Sequence, residues 1–562
     1  MASIVDKTSE GIVYKPSRTM EVPDLDVLTL LFESKQCFQP DDTILHAEAA
    51  DPSNHTTKGK LRQDLKKLAH LFRNKFGIGA SGPSKDVVFT ISTGHYLLPL
   101  MFYGTVAAEG IFSSTSPGAT PDELAFQLKQ TSPRIILCNP DTQGVAIAAA
   151  QKVGFPLDKI ISYKGQKELE LFEAVSGARV PIPNQKLQWR RIKDRNELEY
   201  SVVCLLFSSG TTGLPKAMKL SHRNLVSGGT LLLEPIKEYN VAHRPKGFRY
   251  IGLGHLPVAH IAGVQGYLVN SVYMGGTLYW MPRFDFVKFC EYFKKYQATS
   301  GFSVPPIYLL ISKSPLVTDQ FDTWVDAIAG AAPMGEDLQL EVSKKLGRGA
   351  TKLRQTWGLS ETTGSITTVP IDQTDLGPGT VGGLVPSHYA KLIDEDGKDV
   401  EPGKEGEILV RGPLVIKGYW NNPKADSEAF KNGWFYTGDI GVFRDGWLYI
   451  VDRKKELIKY KGTQVAPAEL EAVLLSHPKI LDAAVIGVAG EGTELPRAYV
   501  VADQKQISAE EIKSFVAQQV AKYKQLRGGV VFIPAIPKSP SGKILRKDLR
   551  LMAKKDVQPS KL

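Results

Sequence analysis

Residues 86–138 read DVVFTISTGHYLLPLMFYGTVAAEGIFSSTSPGATPDELAFQLKQTSPRIILC. The stretch opens on one short apolar run, Asp86 to Ser92, and closes on another, Arg134 to Cys138, and both are predicted to be buried strands. Between them Pro121 to Gln130 predicts a helix, with Thr120 as its N-cap before Asp122 and Glu123. Strand, helix and strand in this order predict a parallel sheet covered by helices, an α/β fold. Upstream, Lys58 to Phe76 repeats Leu61, Leu65, Leu68, Phe72 and Phe76 at helical spacing, which predicts an amphipathic helix.

The character changes after about Gly377. Short strands are expected at Tyr389 to Ile393, Glu407 to Arg411 and Trp447 to Val451, separated by Asp396-Gly397 and Asp445-Gly446 turns. A last unit begins near Arg453, and its helix, Ala466 to Leu475, carries Pro467 in the first turn. The expected division is a large N-terminal domain, 1–452, with a β-rich subdomain at about 378–452, and a small α+β domain, 453–562.

The chain of 562 residues is long enough for roughly three to four domain-sized units. Its 42% hydrophobic and 23% charged fractions are those of a globular protein and exclude a disordered chain, collagen or a coiled-coil rod. Lys and Arg number 69 against 59 Asp and Glu, a charge of +10 without the basic stripe of a nucleic-acid groove. Cys37, Cys138, Cys204 and Cys290 are too scattered for a zinc site or a disulfide framework. Tyr250 to Pro282 has no Asp, Glu, Lys or Arg, but six glycines, two prolines, two histidines, a Gln and an Asn argue against a membrane helix. Buried strand, loop and helix are expected there instead. Met1 to Glu10 carries acids and no apolar segment of a secretory signal. The last three residues, Ser560-Lys561-Leu562, spell the peroxisomal address, which predicts a peroxisomal import receptor as a partner.

After the apolar strand Val202 to Phe207 comes Ser208-Ser209-Gly210-Thr211-Thr212-Gly213-Leu214-Pro215-Lys216. Glycines let a backbone approach phosphate oxygens, hydroxyls donate hydrogen bonds and a lysine offsets charge, so the string predicts a polyphosphate cradle. It lacks the GxxxxGK[ST] spacing of a Walker A loop.

With this string, four further motifs follow in order: Gln355-Thr356-Trp357-Gly358-Leu359-Ser360-Glu361, Tyr436-Thr437-Gly438-Asp439, Asp452 to Lys459, and Pro537 to Lys543. From about residue 60 onward the chain resembles the acyl-adenylate-forming enzymes, within them the coumarate–CoA ligase, luciferase and acyl-CoA synthetase group.

The resemblance implies ATP, Mg²⁺ and coenzyme A as cofactors and a small carboxylic acid as substrate. It implies a large AMP-binding domain followed by a small catalytic domain that rotates between two half-reactions. Ser208, Ser209, Gly210, Thr211, Thr212, Gly213 and Lys216 would hold the polyphosphate. Gln355 and Trp357 would border the adenine, with Trp357 standing where tyrosine is usual. Ser360 would meet the α-phosphate where threonine is usual, Glu361 would hold magnesium, and Asp439 and Arg453 would hold the ribose. Lys543 would bridge the acyl carboxylate and α-phosphate, and His260 would gate the thiol tunnel. After rotation about Lys455 or its neighbours, Lys459, Lys461 and Gly462 would face coenzyme A. Ala262, Gly263, Gly330, Ala331 and Ala332 would line the acyl pocket. No carboxylate follows His260 to grip an ammonium group, so an uncharged hydrophobic acid, fatty or aryl-alkanoic, is expected. A luciferase-like oxygenase, a ligase that loads a carrier protein and an inactive ligand sensor remain alternatives at this stage.

Overall fold

The computed structural model describes residues 2–208, 215–373, 376–461, 463–539 and 542–556. Its largest sheet has eight strands, in the order Arg179–Val180, Glu170–Glu173, Ile160–Lys164, Ile135–Cys138, Val87–Ile91, Ile111–Thr115, Val202–Phe207 and Ala217–Ser221. The five central strands run parallel, and antiparallel strands close both edges. Every residue of Val87–Ile91 is buried, as expected of a strand covered on both faces.

The helices form where the sequence supplies their ends. Lys58–Phe76 starts at Thr57, whose side chain accepts from Lys60 N, and stops at Gly77 in the left-handed conformation. Pro121–Thr131 begins on a full capping box, Thr120 with Glu123.

Tyr250 to Pro282 is interior structure. Ile251–Gly254 and Thr277–Trp280 pair in parallel within a four-stranded sheet. The helical segment between them passes through a π-helical stretch, Val264–Asn270. Among the described residues, no helix is long and apolar enough to cross a membrane. All four cysteines are buried and free.

A second, antiparallel sheet contains Tyr389–Ile393, Gly406–Arg411, Trp434–Arg444 and Trp447–Arg453. The hairpin Ser3–Thr8 and Gly11–Pro16 joins it, with Tyr14 opposite Ala390. The sheet thus recruits an N-terminal segment that sequence patterning leaves unassigned.

The C-terminal part builds its own core, including Ile458, Leu470, Val485, Val500 and Ile512. Its strands Ile480–Gly490, Thr493–Ala502 and Val530–Phe532 form one sheet beside the helices Pro467–Ser476, Ala509–Gln519 and Arg546–Asp556.

Candidate active site

The strands Val202–Phe207 and Ala217–Ser221 hold the base of the presumptive phosphate loop, with Phe207 opposite Ala217. Ser208 N donates to Lys216 O at 2.9 Å, and Lys216 N donates to Ser208 Oγ at 3.2 Å. Ser209, Gly210, Thr211, Thr212 and Gly213 lie outside the described residues, as do Gly462 and the tripeptide Ser560 to Leu562.

Lys216 Nζ lies 5.2 Å from the centre of the Tyr419 ring. The Tyr419 hydroxyl donates to Glu361 Oε1 at 3.1 Å. One phenol therefore links the phosphate-loop lysine to the candidate metal carboxylate. Tyr419 carries no sequence signal, because it belongs to no motif and its partners in this site, Glu361 and Lys216, are 58 or more positions away.

Trp357 and Asp439 come together from different parts of the chain. Trp357 is 7% exposed and Asp439 5% exposed. The indole Nε1 donates to Asp439 Oδ2 at 2.8 Å. The strand pairing sets Asp439 opposite Arg453. Arg453 Nε stands 3.2 Å from Oδ1, an ion-pair contact, but Oδ1 has no partner in hydrogen-bond geometry. Burial raises the Asp439 pKa above the ordinary carboxylate value, opposed chiefly by the Arg453 charge and the indole N–H. Gln355 is already engaged, its amide donating to Gln339 Oε1 at 2.8 Å and Met334 O at 3.3 Å. Ser360 and Glu361 form an accessible single turn, Ser360–Thr362.

Lys543 reaches this group from the C-terminal part. Its loop is closed by Ser539 N donating to Lys543 O at 2.8 Å and by Gly542 at φ 80°. A side chain at Gly542 would press on Pro306 and Val304 of the large domain. Burial lowers the Lys543 pKa, Arg453 lowers it further, and Glu361 and Asp439 oppose the change. His260 is held near pKa 4 by burial, with the Lys543 charge adding to the effect. It is neutral at pH 7, and its buried Nε2 has no hydrogen-bond partner. A cation, two carboxylates, a guanidinium and a neutral imidazole thus meet across the two parts of the chain.

Three other basic residues of this C-terminal stretch are held in ion pairs. Lys538 pairs with Asp482 at 2.6 Å, Arg546 with Glu471 at 2.6 Å and Arg550 with Glu456 at 2.5 Å.

The expected acyl-pocket residues divide. Ala262 is partly exposed beside His260. Gly263 instead packs on its own chain, since a Cβ there would lie 2.4 Å from Pro257 O. Gly266, in the same segment, faces open space with nothing within 4 Å of its Cβ position. At Gly330 a Cβ would meet Phe302 at 2.9 Å, and Ala331 takes a positive φ of 72°. Ala331 is exposed and Ala332 partly so.

Lys459 and Lys461 are exposed and stand on another surface. Lys459 N donates to Glu494 Oε2 at 2.8 Å, and Lys461 N donates to Thr493 Oγ1 at 2.7 Å, both on the neighbouring hairpin.

Comparison with known proteins gives the family. Residues 32–420 match the AMP-binding enzyme family, and residues 469–543 match the AMP-binding enzyme C-terminal domain. The chain is 46% identical over 548 residues to a protein of Emericella nidulans named "Putative acyl-coenzyme A synthetase", covering 96% of this chain and 98% of that one. It is 34% identical over 542 residues to a phenylacetyl-CoA ligase of Aspergillus niger, covering 94% and 97%. The crystal structure of ATP-bound MatB from Rhodopseudomonas palustris superposes with a TM-score of 0.79 at 25% identity, covering 95% of this chain and 99% of that one. The chain belongs to the AMP-binding enzyme family and stands among its acyl-CoA synthetase and CoA ligase members.

Proposed function

We propose that this AMP-forming acid–thiol ligase, which makes acyl-CoA with ATP, takes an uncharged, largely apolar acid, fatty or aryl-alkanoic. The observation that carries the reaction class is that the Lys543 charge acts on Asp439, Glu361 and His260 together. In the first half-reaction a carboxylate oxygen bonds to the α-phosphorus, the bond from that phosphorus to the bridging oxygen breaks, and pyrophosphate leaves. Both reactants are anions, so cations must neutralise the site before they align. Lys543 serves the reacting oxygens and Lys216 the departing pyrophosphate. Asp439 and Arg453 hold the ribose, and Trp357 offers its face to the adenine. His260, being neutral, can stand beside the acyl carboxylate without altering the charge balance.

Glu361 is the residue that would hold Mg²⁺, which typically binds one or two carboxylates together with substrate phosphates. The ion would offset triphosphate charge there. In the second half-reaction the coenzyme A sulfur bonds to the acyl carbon, the thiol gives up its proton, and the acyl–oxygen bond to AMP breaks. For that step the domain from about residue 453 rotates and presents Lys459, Lys461 and Gly462.

The uncharged acid is supported by Val258 to Gly266, which contains no Asp, Glu, Lys or Arg. The phenylacetyl-CoA ligase among the relatives acts on an acid of this class by its name. A pyrophosphate-release screen over aliphatic, aromatic and charged acids, with and without coenzyme A, tests the reading. Release with bulky uncharged acids, and acyl-CoA formation when coenzyme A is present, are expected. Release confined to amino acids or dicarboxylates overturns it.

Ala262→Phe tests the pocket itself. Overfilling an apolar site costs about 1–3 kcal/mol. The kcat/KM profile over chain length and ring size is expected to fall for the bulkiest acids and to hold for small ones, with KM for ATP unchanged. An unchanged profile would place Ala262 outside the pocket.

The chain is further proposed to act in the peroxisome, directed there by Ser560-Lys561-Leu562. Deleting the tripeptide is expected to leave catalysis intact and the fluorescently tagged protein in the cytosol. Continued peroxisomal import would reveal another signal.

A further inference from the structure

The hydrogen bond between Trp357 Nε1 and Asp439 Oδ2 joins two nucleotide-site motifs that lie 82 positions apart. Both side chains are held rigidly. Trp357 packs in a core with Tyr14, Ile366, Val381 and Phe435. Its backbone N donates to Thr367 Oγ1 at 3.0 Å, and its carbonyl accepts from Ile366 N at 2.9 Å. Asp439 N donates to Thr437 Oγ1 at 3.1 Å. The carboxylate is therefore used asymmetrically: Oδ2 accepts from the indole, while buried Oδ1 stands 3.2 Å from Arg453 Nε in an ion pair and has no partner in hydrogen-bond geometry. An ion-paired carboxylate oxygen without a hydrogen bond keeps acceptor capacity for a ligand hydroxyl. A phenylalanine at position 357 carries no donor, and a tyrosine carries its hydroxyl at the tip of the ring instead of the Nε1 position.

We propose that Trp357 is a positioning residue for the nucleotide: its indole N–H fixes the Asp439 carboxylate through Oδ2 and leaves Oδ1 to receive a ribose hydroxyl. The inference rests on the reading of Asp439 as the ribose acceptor. It gives Trp357 a role in sugar discrimination separate from the use of its ring face. The N–H also favours the ionised form of Asp439, alongside the charges of Arg453 on the adjacent strand and Lys543 on the C-terminal loop. Only the ionised form is a full acceptor.

The test compares ATP with 2′-deoxy-ATP and 3′-deoxy-ATP as substrates for pyrophosphate exchange in wild type, Trp357→Phe and Asp439→Asn. A second variant replaces Trp357 with 3-benzothienylalanine, which keeps the bicyclic shape and lacks the N–H, so a packing defect in Trp357→Phe cannot obscure the result. In both Trp357 variants KM for ATP is expected to rise on the order of tenfold, the size of one lost charge-assisted hydrogen bond. The preference for ATP over at least one deoxy analogue should shrink. The acidic limb of kcat/KM for ATP should move to higher pH, because losing the N–H raises the Asp439 pKa further. If both analogues lose as much as ATP does and the limb stays in place, Trp357 only packs or stacks, and the proposal is overturned. If Asp439→Asn leaves the ATP-to-deoxy-ATP ratio unchanged, the ribose reading of Asp439 fails first and takes the proposal with it. A changed ratio in Asp439→Asn alone removes Trp357 and leaves Asp439 in place.

Discussion

Lys543→Ala is expected to lower ATP–pyrophosphate exchange by on the order of a hundredfold or more, while the variant still converts supplied acyl-AMP and coenzyme A to acyl-CoA. The expectation rests on where the lysine is held. Its loop rests on Val304 and Pro306, and its ammonium is sensed by Glu361, Asp439 and His260. In the adenylation step a carboxylate oxygen and the α-phosphate carry negative charge there together. A methyl group at position 543 leaves the carboxylate and the triphosphate to repel each other without a bridging cation. The same environment predicts a pH effect. Burial and Arg453 lower the Lys543 pKa, so kcat/KM for ATP should fall with rising pH through a value below the ordinary lysine range. That basic limb should be missing from the residual activity of Lys543→Ala. Normal exchange in the variant would remove Lys543 from the first half-reaction.

The parts of the fold that could be read in the sequence are those set by local pattern. Val87–Ile91 is a strand because five successive apolar or β-branched residues suit a position covered on both faces. Thr120 and Glu123 start a helix because each satisfies a backbone donor of the other's turn. What could not be read depends on distance or on a change of period. Ser3–Thr8 pairs with Gly11–Pro16 in a hairpin, and that hairpin joins its sheet through Tyr14 opposite Ala390, nearly four hundred positions away, while charged side chains dilute its alternation. Tyr419 enters the site through Glu361 and Lys216, neither of which is near it in sequence.

The segment after His260 shows the change of period most clearly. A continuous α-helix from Ile261 would carry a different set of residues round to the open side. The π-helical stretch Val264–Asn270 widens the turn, and the partly exposed positions become Ile261, Ala262, Gly266 and Asn270. Gly263 is turned onto the Pro257–Val258 backbone. Composition alone marks Gly263 and Gly266 as equally small, and only the backbone separates them.

Lys459→Ala is expected to behave as the reverse of Lys543→Ala. Lys459 is exposed on the short strand Ile458–Tyr460, where its backbone binds Glu494 and its carbonyl accepts from Thr493 Oγ1 at 2.9 Å. In this conformation it is the charge of Lys543 that acts on Asp439 and Glu361. Removing an exposed side chain that makes no contact with that site should leave exchange within about twofold of wild type and cost little stability. Thioester formation needs the other surface of the domain, in a gating motion that brings a second set of groups to the same reaction centre. There Lys459→Ala should slow conversion of supplied acyl-AMP to acyl-CoA by on the order of a hundredfold, the scale of one lost electrostatic contact at a reacting centre. Steady-state turnover should fall with it, and a burst of pyrophosphate should precede the slow phase as acyl-AMP accumulates on the enzyme. Equal loss in both half-reactions would mean that the domain does not use two faces. Loss confined to exchange would exchange the roles of the two lysines and identify this conformation as the thioester-forming one.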